Sequence, residues 1–394
     1  MTLTRRGFTL SLAATVLAAP TLANTGFNSW LTGFRKRARA AGISKTTLNK
    51  ALKGVEYLPG VIKNDRKQAE VTRSLQDYIS SAASGSRIKA GQKALKRYKT
   101  LLNKIERKHG VEKEVIVAIW GMESSFGGFR GKTPVISTLA TLAYEGRRAE
   151  LFEQELIAAL QIIQFGDTSP GNMLGSYAGA MGHTQFMPGS FLTHAVDFNG
   201  DGRRDIWSDD PTDALASTAA YLKASGWKKG QPWAIEIALP KGFDPALTGR
   251  VHIKKRGDWA KLGIKTANGK RLPNHGPGAI ILPAGPNGPA FMIYENFHVL
   301  KTYNYADSYV IGVGHLSDRL SGKGAIRSGY PKHPWGMTND QRKTLQKRLN
   351  TRGFGAGNPD GVIGEKGRAA IRAYEKSKGL RQTGVPSKAL LNSL

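Results

Sequence analysis

The spacing of apolar residues predicts a mostly helical chain between residues 27 and 230. Apolar positions recur every three or four residues, the period of a helix with one buried face, in Ala90–His109, Lys113–Glu123, Arg148–Phe165 and Asp213–Ser225. The second of these stretches is almost wholly apolar, so we expect it inside the protein. Helical spacing returns at Asp307–Leu320.

The pattern changes between residues 240 and 294, where glycine and proline become more frequent. Gly278–Leu282 and Pro289–Tyr294 are predicted as two short strands joined by the turn at Gly285–Gly288. Residues 321–336 have a linker-like composition, and residues 337–394 follow as a small helical module near the lower size limit for independent folding. The fold class is therefore mainly α (α+β), with a small β-containing part.

Residues 1–23 have the parts of an export signal. Arg5 and Arg6 precede the apolar run Phe8–Ala19, and small residues lead to a cleavage position after Ala23. The run is too short to span a bilayer, and an amphipathic helix is disfavoured because no charge interrupts the run. Thr4–Leu10 also resembles a twin-arginine signal. We expect a soluble periplasmic protein without a transmembrane segment, and leave Tat and Sec export both open.

Composition adds a strong positive charge to this picture. The 394 residues include 58 Lys and Arg against 29 Asp and Glu, for a net charge of +29, and 40% of residues are hydrophobic. Such an apolar fraction excludes a fully disordered chain. The charge predicts a polyanionic partner. Nucleic acid is disfavoured as that partner, because the chain has an export signal. Because cysteine is absent, we expect no disulfide, thiolate metal site or lipoprotein anchor.

Glu123 is the candidate general acid. It ends the apolar stretch and has Ile119 and Trp120 one helical turn before it. Apolar surroundings disfavour the ionised form of a glutamate, so a proton stays available near neutral pH for cleavage of a glycosidic bond. A solvated glutamate at a helix end is the alternative, and the local sequence does not decide between the two.

Three motifs resemble the lytic murein transglycosylase B family (glycoside hydrolase family 103). Glu123–Gly127 reads E-S-S-F-G, and Ser176–Phe191 reads S-Y-A-G-A-M-G-H-T-Q-F-M-P-G-S-F, the most specific of the three. The third comprises Glu295–Phe297, Tyr303-Asn304 and Gly314–Leu320. The resemblance covers residues 27–320, departs at the variable pair His183-Thr184, and implies a lysozyme-like helical catalytic domain.

The resemblance also implies a reaction. Enzymes of this family cleave the bond between N-acetylmuramic acid and N-acetylglucosamine in peptidoglycan without water and leave 1,6-anhydro ends. By the same carry-over, Glu123 serves as both acid and base, whereas ordinary glycosidases pair two carboxylates. The sugar subsites would include Ser176, Gln185, Tyr221, Tyr303, Asn304, Tyr309 and, as a weaker member, Tyr78. For each single tyrosine, packing in the core is an equal alternative.

An acidic loop follows the first nine positions of an EF-hand calcium loop. Its oxygen donors would be Asp197, Asn199, Asp201, the Arg203 carbonyl and Asp205, with Asp209, Asp210 or Asp213 as the closing carboxylate. The family resemblance favours Asp213 and a structural Ca²⁺, while the chemistry is expected to need no cofactor. A metal-free loop of Asx turns is the alternative.

The carboxy-terminal segment resembles a peptidoglycan-binding module of three short helices. Asp360–Gly364 has the spacing D-G-x-x-G, and Ala370–Tyr374 follows as A-I-x-x-Y. Glu365–Gly367 and Tyr374-Glu375 depart from the usual residues of that family. A generic helical hairpin is the less favoured alternative. Such a module would hold the enzyme on its polymer and raise the local concentration of substrate.

These expectations together predict an exported, monomeric lytic transglycosylase that binds peptidoglycan strands and wall carboxylates. The alternatives are a muramidase that hydrolyses the same bond with water and a non-catalytic wall-binding protein. A nucleic-acid binder is less favoured, because no recognition motif is present. Proteins of the wall-synthesis machinery are candidate partners. The sequence leaves the choice between endo- and exo-cleavage open, and also the preferred glycan length and stem peptide.

Overall fold

The computed structural model describes residues 18–66 and 74–394, which divide into two compact units. One unit comprises the described residues up to 66 together with 131–193, and the other comprises 74–130 and 194–394. Most of the predicted export signal, residues 1–17, lies outside the described residues. Within the described ranges, no helix is long and apolar enough to cross a membrane.

The helices are α1 (Ala18–Ala40), α2 (Lys45–Ala51), α3 (Pro59–Arg66), α4 (Leu75–Ala82), α5 (Gly85–Arg97), α6 (Lys99–His109), α7 (Lys113–Ser124), α8 (Val135–Glu145), α9 (Ala149–Phe165), α10 (Pro188–His194), α11 (Thr212–Ala224), α12 (Arg256–Lys261), α13 (Glu295–Tyr303), α14 (Asp307–Leu320), α15 (Asn339–Thr351), α16 (Glu365–Ser377) and α17 (Lys388–Ser393). The strands are β1 (Thr133–Pro134), β2 (Leu174–Gly175), β3 (Ala234–Ala238), β4 (Lys265–Thr266), β5 (Ala279–Ile281) and β6 (Ala290–Ile293). The mainly helical fold with a small sheet is thereby confirmed.

The first unit is built around α8 and α9, which pack along each other. Every residue of α8 from Val135 to Ala143 is buried, and α1 and α3 pack against this helix. Aromatic rings from α1 contact Tyr57 and Tyr144, with Phe27 lying 5.6 Å and 5.5 Å from those two ring centroids. The unit therefore has an apolar core of its own.

The second unit is centred on α7, which is buried from Val115 to Gly121. Helices α5, α11 and α14 pack against it. The predicted helices Lys113–Glu123 and Asp307–Leu320 are confirmed, the latter with the same ends. Packing of α14 on α7 brings the first turns of α14 towards the carboxy-terminal end of α7, where Glu123 lies.

The helix predicted at Ala90–His109 is wrong as a single element, because α5 ends at Arg97 and α6 begins at Lys99. Tyr98 leaves helical geometry at φ −103° and ψ 23°, and its ring packs edge-on against Trp120 at 5.6 Å. The apolar residues of both helices have the same spacing, and for this reason the sequence pattern predicted one continuous helix.

An antiparallel sheet in the order β4-β3-β6-β5 supports one side of the second unit. The predicted hairpin corresponds to β5 and β6, while β3 lies before the segment in which strands were predicted. Alternate residues of the sheet enter different cores: Phe291 and Ile293 join the core around α7, and Ala290 and Met292 join a smaller core with Trp259. Both faces are therefore covered.

The carboxy-terminal helices α15, α16 and α17 form a small core that includes Leu345, Ile371 and Leu390. The segment before them is packed rather than free. Backbone N–H groups of Arg327 and Ser328 donate to the Glu236 carboxylate at 2.7–3.0 Å. The segment that leads into the module is therefore held in place by hydrogen bonds.

Candidate active site

Glu123 lies in the last turn of α7 and is half-buried. The helix leading to it packs its apolar residues on several sides, because Ile116 to Ile119 are completely buried. Glu123 is therefore attached to a helix that is held rigidly in the core. A side chain fixed in this way can meet substrate in a defined orientation.

The E-S-S-F-G motif forms the turn that ends α7. Ser125 and Phe126 adopt left-handed backbone conformations, with φ of 50° and 61°. Such conformations are costly for residues other than glycine and persist only where the surroundings enforce them. The Phe126 N–H donates to the Trp120 carbonyl at 3.2 Å, and the Gly127 N–H donates to Ser124 Oγ at 2.9 Å.

Gly121 allows the Phe126 ring to fold back on α7. A Cβ at position 121 would lie 2.6 Å from Phe126 Cζ, well inside contact distance. The ring also packs edge-on against Trp120, with centroids 5.8 Å apart. The turn that follows Glu123 is therefore held by a close side-chain contact with the helix that precedes it.

Tyr309, in the first turn of α14, contacts the candidate catalytic group directly. Its hydroxyl donates a hydrogen bond to Glu123 Oε1 at 2.5 Å, while its side chain is only 4% exposed. Burial, followed by the negative charge of Glu123, raises the pKa of Tyr309 well above its usual value. The tyrosine therefore remains a neutral donor at any pH at which the enzyme would act.

Three other predicted tyrosines lie in the same unit. The charges that Tyr78 and Tyr303 carry when ionised both act to raise the pKa of Tyr309. Tyr78 also packs closely on α14, because a Cβ added at Gly312 would lie 3.0 Å from Tyr78 Cε1. The Tyr221 hydroxyl donates to the Thr302 carbonyl at 2.6 Å, and its ring packs edge-on against Tyr303 at 5.1 Å. Most of the predicted aromatic subsite residues are thus brought together around α14.

Asn304 immediately follows this group and ends α13. Its Oδ1 accepts the N–H of Ala306 at 3.0 Å, which shapes the short connection into α14. His194 is a member that the sequence analysis missed: its ring lies 4.4 Å from Tyr221, and burial lowers its pKa. The sequence offers no indication of the contact with Tyr221, because a single histidine next to a motif does not identify its partner.

Ser176 and Gln185 lie in the first unit, in the loop of the long middle motif. Ser176 Oγ accepts the N–H groups of Ala178 and Ala180 at 3.2 and 3.1 Å, so this hydroxyl orders the loop. Gln185 has a left-handed φ of 54°, and its Nε2 donates to the Gly182 carbonyl at 2.8 Å. His183 and Thr184, the variable pair, are buried.

Asp213 accepts backbone N–H groups from two positions of the acidic loop. Asp213 Oδ1 accepts the Phe198 N–H at 2.8 Å, and Oδ2 accepts the Asp205 N–H at 2.9 Å. Burial raises the pKa of this carboxyl. Asp209 pairs with Arg130 at 2.6 Å, and Asp210 accepts the Thr212 N–H, so both have other roles.

The remaining loop oxygens also accept backbone N–H groups. Asp197 binds those of Gly200 and Gly202 at 2.6 and 2.8 Å. The Asn199 and Asp201 side chains accept the N–H groups of Asp201 and Arg203. The donor set consists of oxygen atoms only, which suits a hard cation such as Ca²⁺. In the part of the chain that the structure describes, however, no three His, Asp or Glu side chains form a metal-binding group.

Comparison with known families gives two matches along the chain. Residues 26–318 match the family model of the transglycosylase SLT domain, and residues 338–394 match that of a peptidoglycan binding domain. A curated relative, membrane-bound lytic murein transglycosylase B of Escherichia coli K12, is 36% identical over 228 residues. That match covers 57% of this chain and 61% of the relative's length.

Solved structures agree with these matches. SltB3 from Pseudomonas aeruginosa in complex with NAG-anhNAM-pentapeptide is 44% identical, with a TM-score of 0.83 over 93% of this chain and 98% of that one. The Escherichia coli lytic transglycosylase SLT35 in complex with calcium is 30% identical, with a TM-score of 0.64 over 76% of this chain and 93% of that one.

Proposed function

The chain belongs to the transglycosylase SLT domain family, and from that membership we propose that it is a lytic transglycosylase of peptidoglycan. The observation that carries the proposal is Glu123, held at the end of a buried helix with the Tyr309 hydroxyl on its carboxylate. The proposed substrate is a glycan strand of alternating N-acetylmuramic acid and N-acetylglucosamine that bears stem peptides.

In the first step, protonated Glu123 donates its proton to the oxygen that links muramic acid C1 to glucosamine C4. The C1–O bond breaks, and the glucosamine leaves with a hydroxyl at C4. The acetamido group of the muramic acid stabilises the positive charge that develops at C1. Glu123 is now a carboxylate, and the Tyr309 hydroxyl at 2.5 Å stabilises that charge by donation.

In the second step, the muramic acid 6-hydroxyl attacks C1 and closes a 1,6-anhydro ring. Glu123 takes the hydroxyl proton and is thereby restored to its starting form. Atoms balance without water, because the proton given to the leaving group is replaced by the one taken from the 6-hydroxyl. One carboxylate is therefore enough for both steps.

Aromatic and amide side chains are proposed to form the sugar subsites. Tyr221 and Tyr303 pack together in the second unit, and their ring faces suit the apolar faces of sugars. Tyr78, Tyr309 and Asn304 complete the set there. Ser176 and Gln185, in the loop of the middle motif, stay proposed as sugar contacts.

The domain boundaries proposed are 27–320 for the catalytic domain and 337–394 for the peptidoglycan-binding module. Residues 1–23 are proposed as an export signal, which would place the protein in the periplasm. We also propose that the protein is a monomer. A net charge of +29 supports attraction to a carboxylate-rich wall. The attraction should weaken as ionic strength rises.

A structural calcium ion is proposed for the acidic loop. The ligands would be Asp197, Asn199, Asp201, Asp205 and Asp213, with the Arg203 carbonyl. When bound, the ion would hold the loop and take no part in the reaction. The test is a thermal unfolding series with calcium, magnesium or a chelator. A rise in Tm with calcium that Asp201→Ala removes supports the site, and an unchanged Tm contradicts it.

Product mass tests the function. Purified wild-type protein, incubated with isolated sacculi, should release muropeptides that lack the elements of water and end in 1,6-anhydro muramic acid. Glu123→Gln should lower the rate by at least about 100-fold. Glu114→Gln, on the first turn of the same helix, is the matched control and should keep full activity. Reducing-end muramic acid would instead indicate a muramidase, and inactive wild-type protein would indicate a wall-binding role.

A further inference from the structure

A cavity of about 600 Å³ lies between the carboxy-terminal module and the rest of the second unit. Arg250, Lys301 and Tyr305 line it from one side, and Glu365 and Lys366 of α16 line it from the other. The proposed reaction does not use any of these side chains.

The walls of the cavity are fixed because the module is docked by buried contacts. Arg368 of α16, only 4% exposed, donates to Thr248 Oγ1 at 2.8 Å and to the Pro245 carbonyl at 3.1 Å. Glu365 accepts the Arg250 N–H at 3.2 Å. A site between these surfaces is therefore preformed and needs little ordering when it binds a ligand.

Positive charge is in excess at this cavity. Asp307 Oδ1 receives both Arg250 Nη1 at 3.0 Å and Lys301 Nζ at 2.6 Å, so one carboxylate faces two cations. Glu365 is paired with Arg372 at 2.5 Å. Lys366 is exposed, and none of the described residues forms an ion pair with it. An anionic ligand would therefore be attracted here.

The cavity also adjoins the proposed sugar subsites. Thr302 and Tyr305, both in its wall, flank Tyr303 and Asn304 in the chain. Tyr305 is 81% exposed, and Lys301 Nζ lies 4.3 Å from its ring centroid. The cavity wall therefore continues along the chain into two of the proposed subsite residues.

We propose that the cavity between the module and the catalytic domain binds a free carboxylate of the stem peptide, with Lys366 as its exposed cationic contact. The proposal rests on the proposed function, since it supposes a peptide-bearing glycan as substrate. According to this proposal, the module forms part of a substrate subsite in addition to holding the enzyme on its polymer. Strands that carry peptides with free carboxylates would then bind more tightly than strands without peptides.

The test compares two lysines of the module in the full-length protein. Lys366→Gln removes the cavity lysine, and Lys347→Gln removes an exposed lysine of α15 that does not line the cavity. Both variants lose the same charge, so general attraction to the wall falls equally. Cleavage is measured on peptide-bearing strands and on strands from which an amidase has removed the peptides.

On peptide-bearing strands, Lys366→Gln should raise KM about 3- to 10-fold with kcat unchanged, while Lys347→Gln should match the wild type. On peptide-free strands the three proteins should have the same KM. Equal effects of the two substitutions, or an equal loss on peptide-free strands, would overturn the proposal.

A binding measurement tests the cavity without requiring cleavage of the glycan. Titration with a synthetic stem pentapeptide should show binding that is weaker for its C-terminal amide and for Lys366→Gln. Equal binding of acid and amide would overturn the role of the C-terminal carboxylate. If the wild type forms no anhydro product from peptide-bearing strands, the proposed function fails, while the titration still decides the cavity proposal.

Discussion

The Tyr309 hydroxyl lies 2.5 Å from Glu123 Oε1, and 186 positions separate these two residues in the chain. The contact depends on α14 packing against α7, which aligns the first turn of one helix with the last turn of the other. Because the tyrosine is buried, its hydroxyl cannot turn to water when the carboxylate changes charge. Tyr309 is thus a positioning residue for the proposed acid and base.

Tyr309→Phe should lower kcat about 10- to 100-fold, because the variant lacks one hydrogen bond to the ionised carboxylate. The ring keeps its packing, so the free energy of unfolding should change little. Tyr374→Phe, which removes a tyrosine hydroxyl that donates to the Ser393 carbonyl in the module, is the matched control. If the two variants have equal kcat on sacculi, the contact has no catalytic role.

Gly121→Ala should lower both stability and activity. The added Cβ would lie 2.6 Å from Phe126 Cζ, and overpacking of this kind costs about 1–3 kcal/mol of unfolding free energy. Displacement of the turn after Glu123 should reduce the rate about tenfold or more.

Gly257→Ala is the control for a change of glycine to alanine in a helix. No atom lies within 4 Å of the new Cβ there, and the residue is exposed in α12. This variant should keep full activity and be unchanged or slightly more stable. Denaturant unfolding and sacculus cleavage measure both effects, and a fully active Gly121→Ala protein would show that the Phe126 contact is dispensable.

Arg368→Met should loosen the module from the catalytic domain. Burial lowers the pKa of Arg368 to about 10, and its guanidinium donates to Thr248, Pro245 and Gly384. Loss of these bonds leaves buried acceptors without donors, at a cost of about 1–3 kcal/mol. Hydrogen exchange at residues 245–250 should accelerate. Arg352→Met, at an exposed position of the module, should leave the exchange rate unchanged, and equal rates in both variants would contradict this docking role.

Glu365 should make docking of the module depend on pH. Burial acts to raise the pKa of Glu365, but the Arg372 guanidinium and the Arg250 N–H outweigh it and lower the pKa below its usual value. Ionised Glu365 therefore stabilises the fold above about pH 4.3, its usual value when unfolded, and this contribution is lost as pH falls through the folded pKa.

The measurement for Glu365 is unfolding free energy against pH. Wild type should exceed Glu365→Gln by about 1–3 kcal/mol at pH 7, and the difference should shrink below about pH 4. Glu295→Gln, at an exposed position of α13, should show little difference at any pH. A wild-type advantage over Glu365→Gln that stays constant in acid would contradict the prediction.

Local sequence was sufficient for much of the fold. The apolar stretch at Lys113–Glu123 and the pattern at Asp307–Leu320 each predicted a helix that the structure contains. The hairpin at β5 and β6 was indicated by apolar runs on either side of a Gly-Pro turn. These signals are local, because helical period and turn residues act over a few neighbouring positions.

Other features depend on contacts between distant segments. The break at Tyr98 was missed because both flanking helices share one apolar period, whereas the ring contact with Trp120 exists only after packing. Strand β3 was missed because Ala234–Ala238 is short and pairs with strands that follow much later. The Ser176 hydroxyl accepts backbone N–H groups of its own loop, and its predicted contact with sugar stays a prediction.

The sequence by itself determined the family, the helical class, and Glu123 as the candidate acid, since each follows from short motifs or from a period of a few residues. Only the tertiary structure decided that Tyr309 donates to Glu123, that Asp213 accepts the Phe198 N–H, and that Arg368 docks the module. The physical reason is that such polar contacts have no period along the chain. They form where packing of apolar helices brings distant segments within hydrogen-bonding distance and excludes water from between them.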